Sequence, residues 1–82
     1  MSIRPEEVDI ARFLVAKALS VNIEHIEPEA EMYANPVWDS FGQLSVVLAI
    51  EETLQVQITD ESIFDSLTSI RGIATYLSKC RP

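Results

Sequence analysis

One serine of this chain is placed where its hydroxyl could take part in covalent chemistry. Ser40 follows Asp39, and aspartate is favoured at helix N-caps because its carboxylate accepts a hydrogen bond from a free N–H of the first turn. The apolar residues that follow have helical spacing, so we expect a helix whose first residue is Ser40. Its hydroxyl would then lie outside the hydrogen-bond ladder of the helix and face water.

The sole histidine, His25, raises the question of a serine hydrolase. A serine nucleophile needs a general base within reach and an orienting group, and it normally stands on a sharp turn of the G-x-S-x-G type. The sequence around Ser40 lacks that pattern, and His25 lies among glutamates in a stretch without periodicity. We therefore do not expect His25 and Ser40 to act as a catalytic pair.

Metal and thiol chemistry have little support in the sequence. Four glutamates accompany His25 between residues 24 and 31, but they lack the spacing of a metal-ligand set, so we expect a solvated acidic loop. Cys80 is the only cysteine, which excludes an internal disulfide or a cysteine-based metal cluster. We interpret Cys80 as an incidental thiol.

The composition is that of a folded domain. The 82 residues are 48% hydrophobic and 23% charged, which suits one globule with a modest core rather than a disordered segment. No window holds the roughly 18 uncharged apolar residues that a membrane helix needs. The first residues lack the basic-then-apolar order of a signal peptide. We expect a single domain over residues 1–82, located in the cytoplasm and not inserted in a membrane.

Charge is unevenly distributed along the chain. The net charge is −7, and between Lys17 and Arg71 there is no lysine or arginine, whereas ten acidic residues lie there. Such a field repels nucleic acid and anionic membranes and attracts basic protein surfaces. A role in solubility alone would explain the sign of the charge but not its segregation. Both interpretations stay open.

The helix that begins at Ser40 has two apolar stripes when its residues are placed at about 100° intervals. The stripe that we expect to face the core consists of Val46, Val47, Ile50 and Leu54. The second stripe, on roughly the opposite side, consists of Phe41, Leu44 and Leu48. One stripe is enough to dock a helix in a small domain, so the second predicts a partner or a surrounding core.

Helical spacing predicts a first helix from about Arg4 to Ser20 and a long loop over residues 21–39, with a short turn near Glu29–Tyr33. The core-facing residues of the first helix are Val8, Ala11, Leu14, Val15, Ala18 and Leu19. The side chains that we expect to anchor the loop are Ile23, Ile26 and Met32. A loop of this length in a compact domain is usually functional or held by its side chains.

The last part of the chain predicts a short helix and a final helix. Thr59 or Asp60 caps the short helix, and Thr68 or Ser69 begins the final one. The inward residues of the short helix are Ile63, Phe64 and Leu67. Those of the final helix are Ile70, Ile73, Ala74 and Leu77, and Arg81 and Pro82 end that helix. Gly72 weakens the final helix by about 1 kcal/mol relative to alanine, unless close packing needs the space. Periodicity alone therefore predicts a small all-α domain.

Asp39-Ser40-Phe41, the apolar helix after them and Glu51-Glu52 resemble the Asp-Ser-Leu motif and second helix of acyl carrier proteins. The similarity extends through ITDESIF (58–64) and IRGIATYL (70–77) and covers most of the chain. It implies a small four-helix bundle with three main helices, a short third helix and a long first loop. It also implies that Ser40 is esterified by 4′-phosphopantetheine from coenzyme A. The N–H groups and dipole of a helix N-terminus tolerate such a phosphodiester, and Asp39 could help to hold a transferase's divalent metal.

On this resemblance the protein is a carrier and not an enzyme. A phosphopantetheinyl transferase would attach the arm, whose thiol would hold an acyl group as a thioester. An acyl- or aminoacyl-activating ligase would load the arm, and downstream transferases or synthases would modify or remove the cargo. We expect the carrier to be a monomer. The residues that we expect to dock on basic surfaces of these enzymes are Phe41, Leu44, Leu48, Glu51 and Glu52. Trp38 either forms a wall beside the arm or packs at the start of the helix, and we favour packing because burial of tryptophan is favourable.

Two departures from the family pattern bear on the pathway. Gly42, Gln43 and Ser45 stand where acidic residues are familiar, and Phe41 stands in place of leucine. Both departures favour a dedicated biosynthetic pathway over fatty-acid synthesis. An aminoacyl or peptidyl carrier is one alternative. The other is an unmodified helical interaction module, against which the intact Asp39-Ser40 pair argues.

Overall fold

The computed structural model describes residues 4–34 and 36–80, and it arranges them as four α-helices joined by one long loop and two short connections. The helices are α1 (Pro5–Leu19), α2 (Ser40–Leu54), α3 (Glu61–Ser66) and α4 (Ile70–Lys79). A 3₁₀ turn, Ile23–His25, lies in the long loop. The predicted all-α class, with a short third helix and a long first loop, is confirmed.

The helix starts follow from local side-chain chemistry. Asp39 caps α2, and Asp60 rather than Thr59 caps α3 by accepting the N–H of Ser62 at 2.8 Å. Ser69 rather than Thr68 caps α4, because its Oγ accepts the N–H of Gly72 at 3.0 Å. Each cap satisfies an N–H group that the helix itself leaves without a carbonyl partner. The hydrogen bonds from Ser62 also hold the pKa of the Asp60 carboxyl below its usual value.

The core is formed where α1 packs against α2 and α4. Its fully or almost fully buried aliphatic residues on these helices are Ala11, Leu14, Val15, Ala16, Val46, Val47, Ile50, Ile70, Ile73, Ala74 and Leu77. Burying one large aliphatic side chain stabilises the fold by about 1.5–3 kcal/mol. The predicted core stripes of α2 and α4 are confirmed, although Leu54 at the end of α2 is only partly buried.

The long loop is attached to the helices by more than its side chains. Ile26 is fully buried and Met32 is partly buried, as expected, but Ile23 is 37% exposed, so its assignment as an anchor was wrong. The 3₁₀ turn presents Ile23 outwards, while Arg12 of α1 binds the loop's backbone instead. The Arg12 Nε–H donates to the carbonyl of Ile26 at 2.6 Å, and Nη2 donates to that of Ile23 at 3.3 Å.

Further along, the loop pairs with the start of α4. Glu31 and Ser69 form an antiparallel bridge, in which the N–H of Met32 donates to the Thr68 carbonyl at 2.8 Å. The N–H of Ile70 donates to the Ala30 carbonyl at 3.0 Å. These bonds satisfy loop backbone groups that would otherwise need water. They also fix the path of the chain into the segment that precedes Ser40.

Close packing explains the glycine in α4. A Cβ at Gly72 would lie 1.8 Å from the carbonyl oxygen of Ser66, so no larger residue fits while α3 ends where it does. Within α3 and its C-cap, Leu67 is fully buried, whereas Ile63 and Phe64 are half-buried. Arg81 and Pro82, expected to end α4, lie outside the described residues. In the described part of the chain, none of the helices has the length and apolar character needed to cross a bilayer.

Candidate functional site

Ser40 is the first residue of α2, and its side chain is exposed. The Asp39 carboxylate accepts the N–H of Gly42 at 2.9 Å, and the Asp39 carbonyl accepts the N–H of Gln43 at 2.8 Å as the first bond of the helix. The cap predicted at Asp39 is therefore confirmed. Because Ser40 stands inside this capped turn, its Oγ takes no part in the hydrogen-bond ladder.

The Ser40 hydroxyl has a side-chain partner that the sequence did not reveal. The phenolic oxygen of Tyr33 forms a hydrogen bond with Ser40 Oγ, and either group can be the donor. Tyr33 has a positive φ of 72°, a conformation that residues with a side chain seldom adopt. No periodic pattern could have found this pair, because it depends on how the loop between the two residues turns back.

His25 belongs to another part of the surface. It is exposed on the 3₁₀ turn and, together with Glu24, Glu27 and Glu29, lines an open pocket on the loop. Among the described residues, no group of three or more histidine, cysteine, aspartate or glutamate side chains is arranged to hold a metal ion. This part of the surface is a concentration of negative charge next to one histidine.

Trp38 is buried at the start of α2. Its side chain is 0% exposed, and its indole N–H donates to Gln43 Oε1 at 2.7 Å. The Gln43 Nε2–H donates in turn to the carbonyl of Leu67 at 2.9 Å, which links the start of α2 to the end of α3. The packing interpretation of Trp38 is the one that the structure supports. Gln43, 4% exposed, is a core residue that the sequence reasoning missed.

Two of the positions that depart from the acidic pattern of acyl carrier proteins are restricted by packing. Gln43 is committed to the buried link just described. A Cβ at Gly42 would lie 2.6 Å from a methyl carbon of Leu19 and 2.9 Å from the Val37 carbonyl oxygen. The Leu19 methyl is the movable end of a side chain, so the backbone carbonyl of Val37 is the firmer restriction on a larger residue at this position. Ser45, the third position, is exposed and carries no such restriction.

The second stripe of α2 is exposed over its whole length. Phe41 is 82% exposed, Leu44 54% and Leu48 57%. Exposed apolar side chains that share one helix face are typical of a surface that meets a partner. The same helix buries Val46, Val47 and Ile50, so the two-sided arrangement inferred from periodicity is present. Whether partners dock on the exposed stripe stays a prediction.

The two glutamates at the far end of α2 differ in their surroundings. Glu52 is exposed, and with Leu48 and Lys17 it lines a shallow groove between α1 and α2. Glu51 is half-buried, and its Oε2 accepts the N–H of Ile58 at 2.8 Å, which holds the connection to α3. Both remain predicted docking residues, but only Glu52 has a carboxylate that faces open solvent.

On α1, two large apolar residues are exposed that the sequence reasoning did not single out. Ile10 is 46% exposed and Phe13 58%. Their spacing of three residues places them on one face of the helix, next to the buried stripe. This spacing is visible in the sequence, but the two residues were not singled out because they lie next to a longer stripe of core residues.

Comparison with known proteins brings these features together. A family model described as a phosphopantetheine attachment site matches residues 10–77. The acyl carrier protein of Syntrophobacter fumaroxidans is 35% identical over 66 residues, which cover 80% of each chain. The acyl carrier protein of Bdellovibrio bacteriovorus is 29% identical over 79 residues, covering 96% of this chain and 95% of its own. That of Streptomyces coelicolor is 30% identical over 71 residues, covering 87% and 76% respectively.

Proposed function

Because the chain belongs to the acyl carrier protein family, whose members bear a covalently attached 4′-phosphopantetheine and are carriers rather than enzymes, we propose that Ser40 is the attachment residue. The protein would present an acyl or aminoacyl group to partner enzymes in a dedicated biosynthetic pathway. The observation that carries this proposal is the exposed hydroxyl of Ser40 at the first position of a capped helix. When bound, the arm supplies a thiol that holds the cargo as a thioester.

The residues around Ser40 fit such a group. The hydroxyl is exposed, so a transferase can reach it, and the first turn of α2 offers N–H groups and the positive end of the helix dipole to a phosphodiester. One oxygen of the Asp39 carboxylate accepts the N–H of Gly42, and the carboxylate has further acceptor sites that a transferase's divalent metal could use. An anion on Ser40 would also lie beside the phenol of Tyr33, which is a hydrogen-bond donor.

The exposed face of α2 supports a role in presenting the arm. Phe41 follows Ser40 directly, and Leu44 and Leu48 continue the same face towards Glu52. A partner enzyme that binds this stripe would have the arm at one end and a negative charge at the other. Basic surfaces on the phosphopantetheinyl transferase, on the ligase and on downstream transferases or synthases would match it. We place the carrier in the cytoplasm as a monomer.

An aminoacyl cargo is a second candidate, and one observation favours it. The link from Trp38 through Gln43 to Leu67 fills the interior at the end of the bundle where Ser40 lies. A long alkyl chain that displaced Gln43 on folding back between α2 and α3 would break these buried hydrogen bonds. Breaking them leaves polar groups without partners, which is costly in an apolar interior. A small polar cargo would stay outside and would leave the link intact.

The attachment is tested by mass. The purified apo protein is incubated with coenzyme A and a broad-specificity phosphopantetheinyl transferase, and the intact mass is measured. Wild type should gain one arm and Ser40→Ala none. Ser45→Ala, which removes an exposed serine of the same helix, is the matched control and should be modified as wild type is. Modification of Ser40→Ala would show that the residue is wrongly assigned.

Wild type that accepts no arm from any transferase would favour the unmodified interaction module instead. Intact-mass analysis of the protein purified from its native host complements this experiment. It would report the arm and, where the thioester survives purification, the cargo as well. An amino acid on the arm would select the aminoacyl alternative over an acyl carrier.

A further inference from the structure

Tyr33 is held against Ser40 by its backbone and not by burial of its ring. The side chain is 65% exposed, so packing contributes little to its orientation. The Tyr33 N–H donates to the Trp38 carbonyl at 2.7 Å, and the neighbouring Met32 N–H donates to the Thr68 carbonyl at 2.8 Å. With φ at 72°, this backbone directs the phenol back across the loop to Ser40 Oγ.

An exposed tyrosine without a partner would need no explanation, but this one occupies a backbone conformation that is uncommon for a bulky residue. Such conformations persist where the surrounding structure holds them, and they are concentrated at functional sites. Here two backbone hydrogen bonds fix the segment, and the resulting position brings the phenol to the hydroxyl of Ser40 at the first position of α2. The same two backbone hydrogen bonds therefore account for both the positive φ of Tyr33 and its contact with Ser40 Oγ.

We propose that Tyr33 is a positioning residue for the attachment reaction at Ser40 and afterwards a hydrogen-bond donor to the phosphodiester. This inference rests on the proposed function of Ser40. In the reaction, Oγ forms a bond to the phosphorus of coenzyme A that bears the pantetheine group. The P–O bond inside the pyrophosphate breaks, adenosine 3′,5′-bisphosphate leaves with that oxygen, and the hydroxyl proton passes to a base of the transferase or to water.

The phenol contributes as charge develops on Ser40 Oγ. While Oγ is a neutral hydroxyl, its hydrogen bond with Tyr33 fixes the side-chain rotamer, and either group can be the donor. As the proton leaves, Oγ becomes a better acceptor, and a hydrogen bond to a charged oxygen is stronger than one to a neutral oxygen. An interaction that strengthens on the way to the transition state raises kcat rather than lowering KM. In the product, the phosphodiester oxygens offer Tyr33 a charged acceptor in the same place.

The test removes a single oxygen atom. Tyr33→Phe keeps the ring and removes only the hydroxyl. The matched control is Tyr76→Phe, which makes the same change at the second tyrosine of the chain, on α4. With the apo protein as substrate, coenzyme A and one transferase, Tyr33→Phe should lower kcat about two- to tenfold, the range of one hydrogen bond of ordinary net strength. KM for the apo protein should change less than twofold, and Tyr76→Phe should match wild type in both constants.

A second measurement does not depend on the rate of any enzyme. The ³¹P resonance of the phosphodiester is recorded on the fully modified proteins, and it should move in Tyr33→Phe but not in Tyr76→Phe. Equal kcat values and equal ³¹P shifts in wild type and Tyr33→Phe would overturn the role of Tyr33 while leaving Ser40 as the attachment residue. A higher KM at unchanged kcat would also overturn it, because Tyr33 would then be a contact for the transferase. If wild type takes no arm at Ser40, both proposals fail together.

Discussion

The indole N–H of Trp38 donates to Gln43 Oε1 at 2.7 Å, and this buried hydrogen bond joins the end of the long loop to the first turns of α2. Gln43 completes the link by donating to the Leu67 carbonyl at 2.9 Å. The oxygen and the nitrogen of the Gln43 side-chain amide are thus hydrogen-bonded to two segments that are distant from each other in the chain. Trp38, which precedes Asp39, and the Gln43 amide that fixes α2 against the end of α3 therefore form one buried structural unit.

Replacing Gln43 by leucine should destabilise the fold strongly. The change keeps a side chain of similar size but leaves the indole N–H of Trp38 and the carbonyl of Leu67 buried without partners. Each of the two unsatisfied groups costs about 1–3 kcal/mol, so the free energy of unfolding should fall by about 2–6 kcal/mol. Urea denaturation followed by tryptophan fluorescence measures it, with Ser45→Ala as the exposed control on the same helix. A loss below about 0.5 kcal/mol would show that the link is not important for stability.

The two faces of α2 should respond differently to truncation. Ile50 is 0% exposed and Leu48 is 57% exposed, although both are large aliphatic residues on the same helix. Ile50→Ala should cost about 2–5 kcal/mol because it leaves a cavity, whereas Leu48→Ala should cost under about 0.5 kcal/mol. Thermal melts of the two variants decide this. A Leu48→Ala protein as unstable as Ile50→Ala would mean that the exposed stripe belongs to the core.

Charge at the end of the exposed stripe should steer partner enzymes. Glu52→Lys should slow arm transfer or cargo loading, and the effect should shrink as salt is added, because the Debye length falls from ~30 Å at 0.01 M to ~8 Å at 0.15 M ionic strength. Glu6→Lys on α1 changes the net charge equally and is the matched control, since Glu6 is exposed as well. Glu51 is unsuited to this comparison because its carboxylate holds the N–H of Ile58.

Rates for both variants are measured across a salt series with the same partner enzyme. Equal losses from Glu52→Lys and Glu6→Lys would leave overall acidity, rather than a local docking surface, as the explanation. A wild-type rate that does not change with salt would show that electrostatic steering does not contribute to association with the partner enzyme. Selection of partners would then rest on Phe41, Leu44 and Leu48.

The interior of the bundle should not take up a long acyl chain. Arms bearing an octanoyl or an alanyl group can be transferred to Ser40 from the corresponding coenzyme A thioesters. A chain that entered the core would stabilise the fold by burying its methylenes, at about 0.8 kcal/mol for each CH₂. We expect both loaded forms to melt within a few degrees of each other, because the Trp38–Gln43–Leu67 link stays closed. An octanoyl form that melts far higher would contradict this and favour a fatty-acyl cargo.

Features that depend on neighbouring residues were predictable from the sequence. The cap at Asp39, the helix that begins at Ser40 and its two stripes follow from side-chain types and a spacing of 3.6 residues per turn. For the caps of α3 and α4 the sequence left two candidates each, and the structure selected Asp60 and Ser69. The cap and stripes of α2 need no knowledge of the rest of the chain. The same reasoning, joined to the family resemblance, selected Ser40 as the residue to test.

The tertiary structure decided the surroundings of that residue. Tyr33 reaches Ser40 because backbone hydrogen bonds to Trp38 and Thr68 hold this part of the long loop. Gln43 is a core residue because Trp38 and Leu67 meet its amide. Such contacts depend on the path of an aperiodic loop, which is set by hydrogen bonds between groups distant in the chain. A local sequence pattern does not identify such distant partners. The Ser40 hydroxyl could therefore be predicted from the sequence, whereas its contact with the Tyr33 phenol could not.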